Sequence, residues 1–101
     1  MTKINVKGAV VSNDDADIYD WLGYDCVSPN QVEDVLNNSN GDIEVDIASG
    51  GGSVFAASEI YTMLKAYSGK VIVNIQGLAA SAASVIAMAG DEINMSPTSQ
   101  M

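Results

Sequence analysis

At 101 residues the chain is long enough for one domain at most, and because 48% of its residues are hydrophobic it is not a disordered acidic tail. Its 13 acidic residues outnumber 4 basic ones, all lysines, and the formal net charge of -9 makes nucleic acid and anionic membranes poor partners. The start of the chain lacks the pattern of a signal peptide and no apolar stretch is long enough to cross a bilayer, so we expect a soluble, cytoplasmic protein.

The first predicted elements are a strand and an acidic loop. Apolar and polar residues alternate in Lys3 to Val11, which predicts a strand with a candidate bulge at Gly8. The sequence SNDDAD, from Ser12 to Asp17, is polar and acidic and predicts a solvated loop. A calcium site is the alternative, but the spacing of the aspartates lacks the central glycine and terminal glutamate of an EF-hand loop.

Two helices are predicted next, a short one and a longer one. Residues 18–24, IYDWLGY, predict a short helix that Gly23 ends. One face of it carries Ile18, Trp21 and Leu22. We assign Trp21 and Tyr24 to packing or to an interface. The second helix begins at Ser28, with Pro29 at the first helical position and Gln31 placed for a capping box.

The rest of the chain alternates strands and helices. The second helix ends in the turn-forming residues 38–41, and Asp42 to Ile47 is the second strand. Ser53 to Tyr67 predicts an amphipathic helix, with an apolar face made of Phe55, Ala56, Ile60, Met63, Leu64 and Tyr67. It crosses over to a third strand, Lys70 to Gln76, in a right-handed parallel unit. Ser81 to Ala89 predicts a buried helix and Asp91 to Met95 a short edge strand.

Two motifs stand where a strand gives way to a helix. The first is SGGGSV, from Ser49 to Val54, and the second is GLAASAASVIAMAG, from Gly77 to Gly90. In an open α/β fold both lie at the carboxyl edge of the sheet, where such folds bind ligands. A glycine segment beside a serine is the layout of an acyl-transfer site. It needs neither a metal nor an organic cofactor.

The chemistry assigns a role to four residues. Ser81 would be the nucleophile, and the glycine segment would supply one oxyanion donor, the backbone N–H of Gly51 or Gly52. The second donor would be the N–H of Ala82, at the start of the next helix. Taken alone, Ser81 is better explained as a helix N-cap, and it is the pair of motifs, each after a strand and before a helix, that favours the nucleophile. The other serines have simpler roles as loop and cap residues, at Ser49 and Ser53, or as a back-bonded helix residue, at Ser84.

From about Ile43 to Met101 the chain resembles the proteolytic subunit of the Clp serine proteases, and the AASAAS segment is most like the phage head-maturation branch. Ser49-Gly50-Gly51-Gly52 corresponds to the family's Ser-Pro-Gly-Gly loop, with Gly50 in place of proline, and Gly77 to Ser81 to its nucleophile turn. The resemblance implies a Clp/crotonase-like ββα superhelix with a mostly parallel sheet and crossover helices. Residues 1–101 would be the N-terminal part of that one domain, incomplete at its C-terminal end.

The chain has no histidine, so a Ser-His-Asp triad cannot be completed within it. The resemblance places the histidine shortly after Pro97 to Met101. The lysines that could replace it, Lys3, Lys7, Lys65 and Lys70, all precede the Ser81 helix. We therefore expect a subunit with nucleophile and oxyanion hole but no base or acid, inactive by itself.

The partners are implied by the resemblance alone. A Clp-type endopeptidase of the head-maturation branch acts on polypeptides, here capsid or scaffold protein, forms rings of identical subunits and can be fed by an ATPase. Two alternatives remain. One is a non-catalytic assembly module of the same fold. The other is a crotonase-like acyl-CoA enzyme, which the scarcity of basic residues for the CoA phosphates disfavours.

Overall fold

A five-stranded parallel sheet forms the centre of the molecule in the computed structural model, which describes residues 2–101. The strands are β1 (Thr2–Val10), β2 (Cys26–Val27), β3 (Ile43–Gly52), β4 (Val71–Ala79) and β5 (Glu92–Met95), in the spatial order β2-β1-β3-β4-β5. All four strand pairs are parallel. The predicted α/β class with a parallel sheet is thereby confirmed, and β5 is the edge strand that the sequence predicts.

Four helices connect these strands within the described residues: α1 (Asn13–Leu22), α2 (Pro29–Asn37), α3 (Val54–Ala66) and α4 (Ala82–Ala87). Helix α3 carries the chain from β3 to β4, and α4 carries it from β4 to β5. Parallel neighbours require such crossovers because a tight turn cannot bring the chain back to the same end of the sheet. None of the helices in residues 2–101 is both long and apolar enough to span a bilayer.

The core lies between one face of the sheet and the helices. Ile43, Val45 and Ile47 of β3 are fully buried, as are their register partners on β4. Of the predicted apolar face of α3, Ala56, Ile60 and Leu64 are buried and Met63 and Tyr67 pack partly buried against the core, and Ala57 is buried as well. The prediction was wrong for Phe55, whose side chain is 87% exposed.

A row of polar side chains crosses the opposite face of the sheet. Asn5, Asp46, Asn74 and Asn94 are register partners on β1, β3, β4 and β5. Asn74 donates to Asp46 at 3.0 Å and Asn94 donates to Asn74 at 3.2 Å. The ammonium of Lys3 lies 3.1 Å from the Asp46 carboxylate, whose side chain is only 4% exposed. The nearly buried carboxylate of Asp46 therefore has both a hydrogen-bond donor and a positive charge as partners on this face.

The acidic segment after β1 is helical, so the predicted loop over Ser12 to Asp17 was wrong. Helix α1 begins at Asn13 because the Ser12 hydroxyl accepts the N–H of Asp15, and two acidic residues in the first turn suit the positive end of the helix dipole. Gly23 ends the helix in the left-handed conformation, as predicted. No residue of α1 is buried, and its predicted apolar face is largely exposed to solvent, with Ile18 56%, Leu22 51% and Trp21 85% accessible.

The predicted capping box at the start of α2 does not form. Ser28 occupies the N-cap position and Pro29 the first turn, but the Ser28 side chain makes no capping hydrogen bond. The Gln31 amide instead donates to the sulfur of Cys26 at 3.9 Å. Cys26 lies on β2, a two-residue strand that was not predicted from the sequence.

Candidate active site

The glycine segment is the end of strand β3. A loop was predicted after Ile47, but β3 continues to Gly52, with Gly51 opposite Ala9 and Gly52 opposite Val10 of β1. A Cβ on Gly52 would lie 2.1 Å from the carbonyl oxygen of Val10, and the φ angle of Gly52 is 149°. Only glycine lets the two backbones approach so closely, which is why the strand can continue through this segment.

Ser81 occupies a strained turn between β4 and α4. Its φ and ψ angles are 53° and −124°, and it is the only non-glycine residue with positive φ among residues 2–101. Such a conformation costs on the order of 1–3 kcal/mol and is typical of functional positions. Although Ser81 stands at the N-cap position, its side chain makes no capping hydrogen bond. The side chain is exposed, so capping does not account for the serine here.

The two motifs meet at the carboxyl edge of the sheet. A Cβ built on Gly51 would lie 2.9 Å from the Cβ of Ser81, 2.9 Å from the carbonyl oxygen of Ala80 and 3.1 Å from the amide nitrogen of Ala82. Gly51 therefore packs directly against the Ser81 turn, and any side chain there would displace the serine. The structure thus brings together Gly51, Ser81 and Ala82, with Gly52 next along the strand.

The backbone N–H groups around Ser81 differ in their partners. Ala83 donates to the carbonyl of Ala80 at 3.0 Å and Ser84 to that of Ser81 at 3.0 Å. Within residues 2–101, the N–H of Ala82 makes no hydrogen bond to a turn or loop carbonyl, and as the first residue of α4 it has no acceptor inside the helix. The N–H of Gly51 donates to the hydroxyl of Ser49 at 3.1 Å. Of the two helix N–H groups nearest to Ser81, that of Ala82 is the one free to bind an anionic oxygen.

The remaining serines of the two motifs are structural. The Ser53 hydroxyl accepts the N–H of Ala56 at 3.2 Å and caps α3, as predicted. The Ser84 hydroxyl donates to the carbonyl of Ser81, the predicted back-bond. Ser49, predicted to be an ordinary loop residue, is instead a buried strand residue with 3% exposure. Its hydroxyl donates to the carbonyl of Gly8, 41 residues away, a partner that no local sequence pattern could indicate.

The ion pairs within residues 2–101 lie towards the other end of the sheet. Lys3 pairs with Asp46, and Lys70 lies 3.3 Å from the carboxylate of Glu92. Both lysines are at the amino ends of their strands, whereas Ser81 follows the carboxyl end of β4. The pKa of Glu92 lies below the usual range of a glutamate because Asn94 donates to its carboxylate and Lys70 both donates and attracts it. No imidazole is available, since the sequence contains no histidine.

Comparison with known proteins identifies relatives of this arrangement. The family model described as Clp protease matches residues 32–101. Among solved structures, ClpP1 from Listeria monocytogenes superposes with a TM-score of 0.64 at 26% sequence identity, covering 87% of this chain and 46% of that one. A point mutant of the same protein gives a TM-score of 0.65 with the same identity and coverage. The chain thus spans 46% of the length of these solved relatives. No curated protein sequence matches it.

Proposed function

The chain belongs to the Clp protease family, and we propose that it carries the nucleophile and the oxyanion hole of a serine endopeptidase that acts on polypeptides. The observation that carries the proposal is the strained, exposed turn of Ser81 packed against Gly51. A serine on a sharp turn between a strand and a helix presents its hydroxyl to a substrate, as the nucleophile elbow of other hydrolases does. The family match supports this function over that of an acyl-CoA enzyme.

In the proposed reaction the Ser81 hydroxyl attacks the carbonyl carbon of a peptide bond. The negative charge that develops on the carbonyl oxygen requires preorganised donors, and removing one such donor typically lowers the rate by about 10²–10³-fold. The Ala82 N–H is one candidate, since it has no backbone acceptor near the turn. The other is a glycine N–H of β3.

Of the two glycines, Gly52 suits the donor role better. The N–H of Gly51 is already donated to Ser49. The N–H of Ser53 is donated across to Val10 on β1 at 2.8 Å, and successive N–H groups of an extended strand point to opposite sides. We therefore infer that the Gly52 N–H points to the other side, where β4 and the Ser81 turn lie.

A serine hydroxyl needs a base to accept its proton, and we propose that the base and its acidic partner lie outside these 101 residues. The sequence has no histidine, Lys3 and Lys70 are held in ion pairs at the opposite end of the sheet, and Lys7 of β1 and Lys65 in the last turn of α3 make no side-chain hydrogen bond to Ser81. Without a base, nucleophilic attack by serine is slow, since a positioned base contributes roughly 10²–10⁴-fold. The polypeptide by itself should hydrolyse peptides negligibly.

The finer assignment extends the sequence resemblance. We propose a cytoplasmic, ring-forming homo-oligomer of the phage head-maturation type, with capsid or scaffold protein as substrate and an ATPase as a partner. The AASAAS segment around Ser81 supports the branch. Assembly is supported by the apolar side chains that α1 leaves exposed, Trp21 almost entirely and Ile18 and Leu22 by about half.

The test is chemical rescue of Ser81. The purified chain is treated with a fluorophosphonate probe with and without a high concentration of imidazole, which supplies the missing base to an exposed serine. We expect labelling to rise at least about tenfold with imidazole, part of what a positioned base contributes. The rise should vanish in Ser81→Ala and persist in Ser84→Ala, the matched control three residues away.

Two results would overturn the proposal. Rapid labelling of Ser81 without imidazole, at the rate of an active protease, would show that the chain contains its own base. Imidazole-dependent labelling that persists in Ser81→Ala would place the reactive group elsewhere. If the folded chain is inert under all conditions, the non-catalytic assembly module becomes the better assignment, and sedimentation should then show stable oligomers.

A further inference from the structure

Ser49 lies where the strand register changes on both sides of β3. Towards β1 the register shifts between Lys7 and Ala9, opposite Ala48 and Gly51. Towards β4 it shifts between Ile47 and Ser49, so that Ser49 is the register partner of Ala79. A bulge re-aims the residues that follow it, and those residues here are the glycine segment and the Ser81 turn.

Both backbone and side chain of Ser49 hold this junction together. Its carbonyl accepts the N–H of Ala80 at 3.2 Å, directly before Ser81. Its hydroxyl donates to the carbonyl of Gly8, at the bulge of β1, and accepts the N–H of Gly51 at 3.1 Å. One buried residue therefore joins three strands at the point where the two motifs meet.

We propose that Ser49 is the positioning residue of the candidate active site. Its hydroxyl holds the Gly51 N–H turned inwards and keeps the Gly51 backbone against the Cβ of Ser81. Together with the pairing of this segment to β1, it keeps the Gly51 N–H away from the substrate and leaves Gly52 to present its own. The catalytic consequence rests on the proposed function of Ser81, whereas the positioning itself does not.

The opposing view is that Ser49 merely fills a buried polar site. Under that view its loss lowers stability and leaves the Ser81 turn unchanged. A positioning role requires more: loss of the hydroxyl must alter the Gly51 amide and the environment of Ser81, to which the Ser49 hydroxyl is connected through Gly51.

The first measurement uses the unaltered chain. Amide hydrogen exchange followed by nuclear magnetic resonance should show the Gly51 N–H protected by about five- to tenfold or more relative to that of Gly52, as expected for one hydrogen bond of ordinary net strength. Equal exchange of the two amides, or a better protected Gly52, would overturn the proposal without any mutation.

The second measurement compares two serine deletions on the same segment. Ser53→Ala removes the cap of α3 and serves as the control for lost stability. We expect Ser49→Ala to abolish the extra protection of Gly51 and to shift the amide resonances of Ser81 and Ala82. Ser53→Ala should leave both unchanged, and Ser49→Thr, which keeps a hydroxyl, should restore them. Identical spectra around Ser81 in Ser49→Ala and the parent would refute positioning.

Probe labelling separates this proposal from the proposed function. With imidazole, Ser49→Ala should lower the labelling rate of Ser81 about tenfold or more, since it disorders a donor of the oxyanion hole. If Ser81 is not labelled in any variant while the amide results are as expected, the proposed function fails and the positioning role stands. If labelling is equally fast in Ser49→Ala and Ser53→Ala, the catalytic consequence is wrong.

Discussion

The amino and carboxyl halves of the central strands are built in different ways. In the amino half, β1, β3 and β4 keep an unbroken register from Ile43 to Ile47, and the inward side chains are β-branched and fully buried. In the carboxyl half the register shifts on both sides of β3, the three glycines Gly8, Gly51 and Gly52 adopt positive φ angles, and Ser81 is strained.

The two halves of the central strands therefore have different structural roles. The amino half supplies packing and pairing, which overdetermine the strand positions. In the carboxyl half the strand pairing is irregular and the backbone is strained, and backbone N–H groups and a serine hydroxyl meet at one edge of the sheet. Strained conformations persist only where the surroundings enforce them. Substitutions in the two halves should therefore act through different mechanisms.

The largest effect is expected for Gly52→Ala. Its Cβ would lie 2.1 Å from the Val10 carbonyl oxygen, on the backbone of β1, and φ is 149°. We expect a loss of about 4 kcal/mol or more in the free energy of unfolding, since the clash is with backbone and cannot be relieved by a side-chain rotation. Urea denaturation measures it.

Gly50→Ala is the matched control within the same segment. No atom lies within 4 Å of a Cβ at Gly50, and its φ angle is not positive. This substitution should be neutral or stabilising by up to about 1 kcal/mol, because alanine restricts the unfolded chain. Equal effects at the two glycines would mean that close approach to β1 does not shape the segment.

The next largest effect probes the packing half. Ile47→Ala removes a fully buried side chain from the central strand and should cost about 3 kcal/mol through lost contacts and a cavity. Ile93→Ala on the edge strand β5, where the side chain is 38% exposed, should cost less than about 1 kcal/mol. Thermal unfolding of the two variants tests the contrast, and similar losses would show that the core extends across β5.

The amino half of the central strands could be predicted from the sequence, because local residue patterns determine its structure. Runs of β-branched residues predicted β3 and β4, and three- and four-residue spacing predicted α3. The errors concern residues whose type is compatible with more than one local structure or environment. The acidic segment after Ser12 was predicted as a loop, yet its serine caps a helix and its aspartates stabilise the first turn. Phe55 matched the helical period but points to solvent.

The site could be predicted only in its composition. Glycine and serine motifs after two parallel strands imply that they share an edge, and Gly51 does contact the Ser81 turn. What the sequence could not indicate is which amides are free. That depends on the Ser49 hydroxyl, whose partners Gly8 and Gly51 lie on different strands. The register shift around Gly8 of β1 was predicted as a bulge from its glycine, whereas the shift between Ile47 and Ser49 of β3 left no pattern that was recognised in the sequence.

A smaller effect should come from the strain at Ser81 itself. Ser81→Gly should be more stable than Ser81→Ala by about 1 kcal/mol, because glycine adopts positive φ without a steric penalty. At Ser84, inside α4, the order should reverse, with glycine about 1 kcal/mol less stable than alanine. Urea midpoints of the four variants measure both differences. If alanine is the more stable substitution at Ser81 as well as at Ser84, Ser81 is not strained.

The smallest effect concerns the charges at the amino end of the sheet, where Glu92 of β5 lies beside Lys70 and Asn94. The pKa of Glu92 is lower in the folded chain than its usual value, first because Asn94 donates to the carboxylate and then because of Lys70. A lowered pKa means that the folded state favours the charged form. The contribution to stability is therefore complete at neutral pH and is lost as the pH falls below the usual glutamate range, about 4.3, through the folded value.

Glu92→Gln should lower the urea midpoint at neutral pH, and its difference from the parent should vanish in acid. Glu59→Gln, which removes one negative charge from exposed helix surface, is the control for net charge. Because the Lys70 and Glu92 side chains are about half exposed, salt should weaken the effect. A difference that persists in acid would instead assign the role of Glu92 to the packing of its side chain on the edge strand.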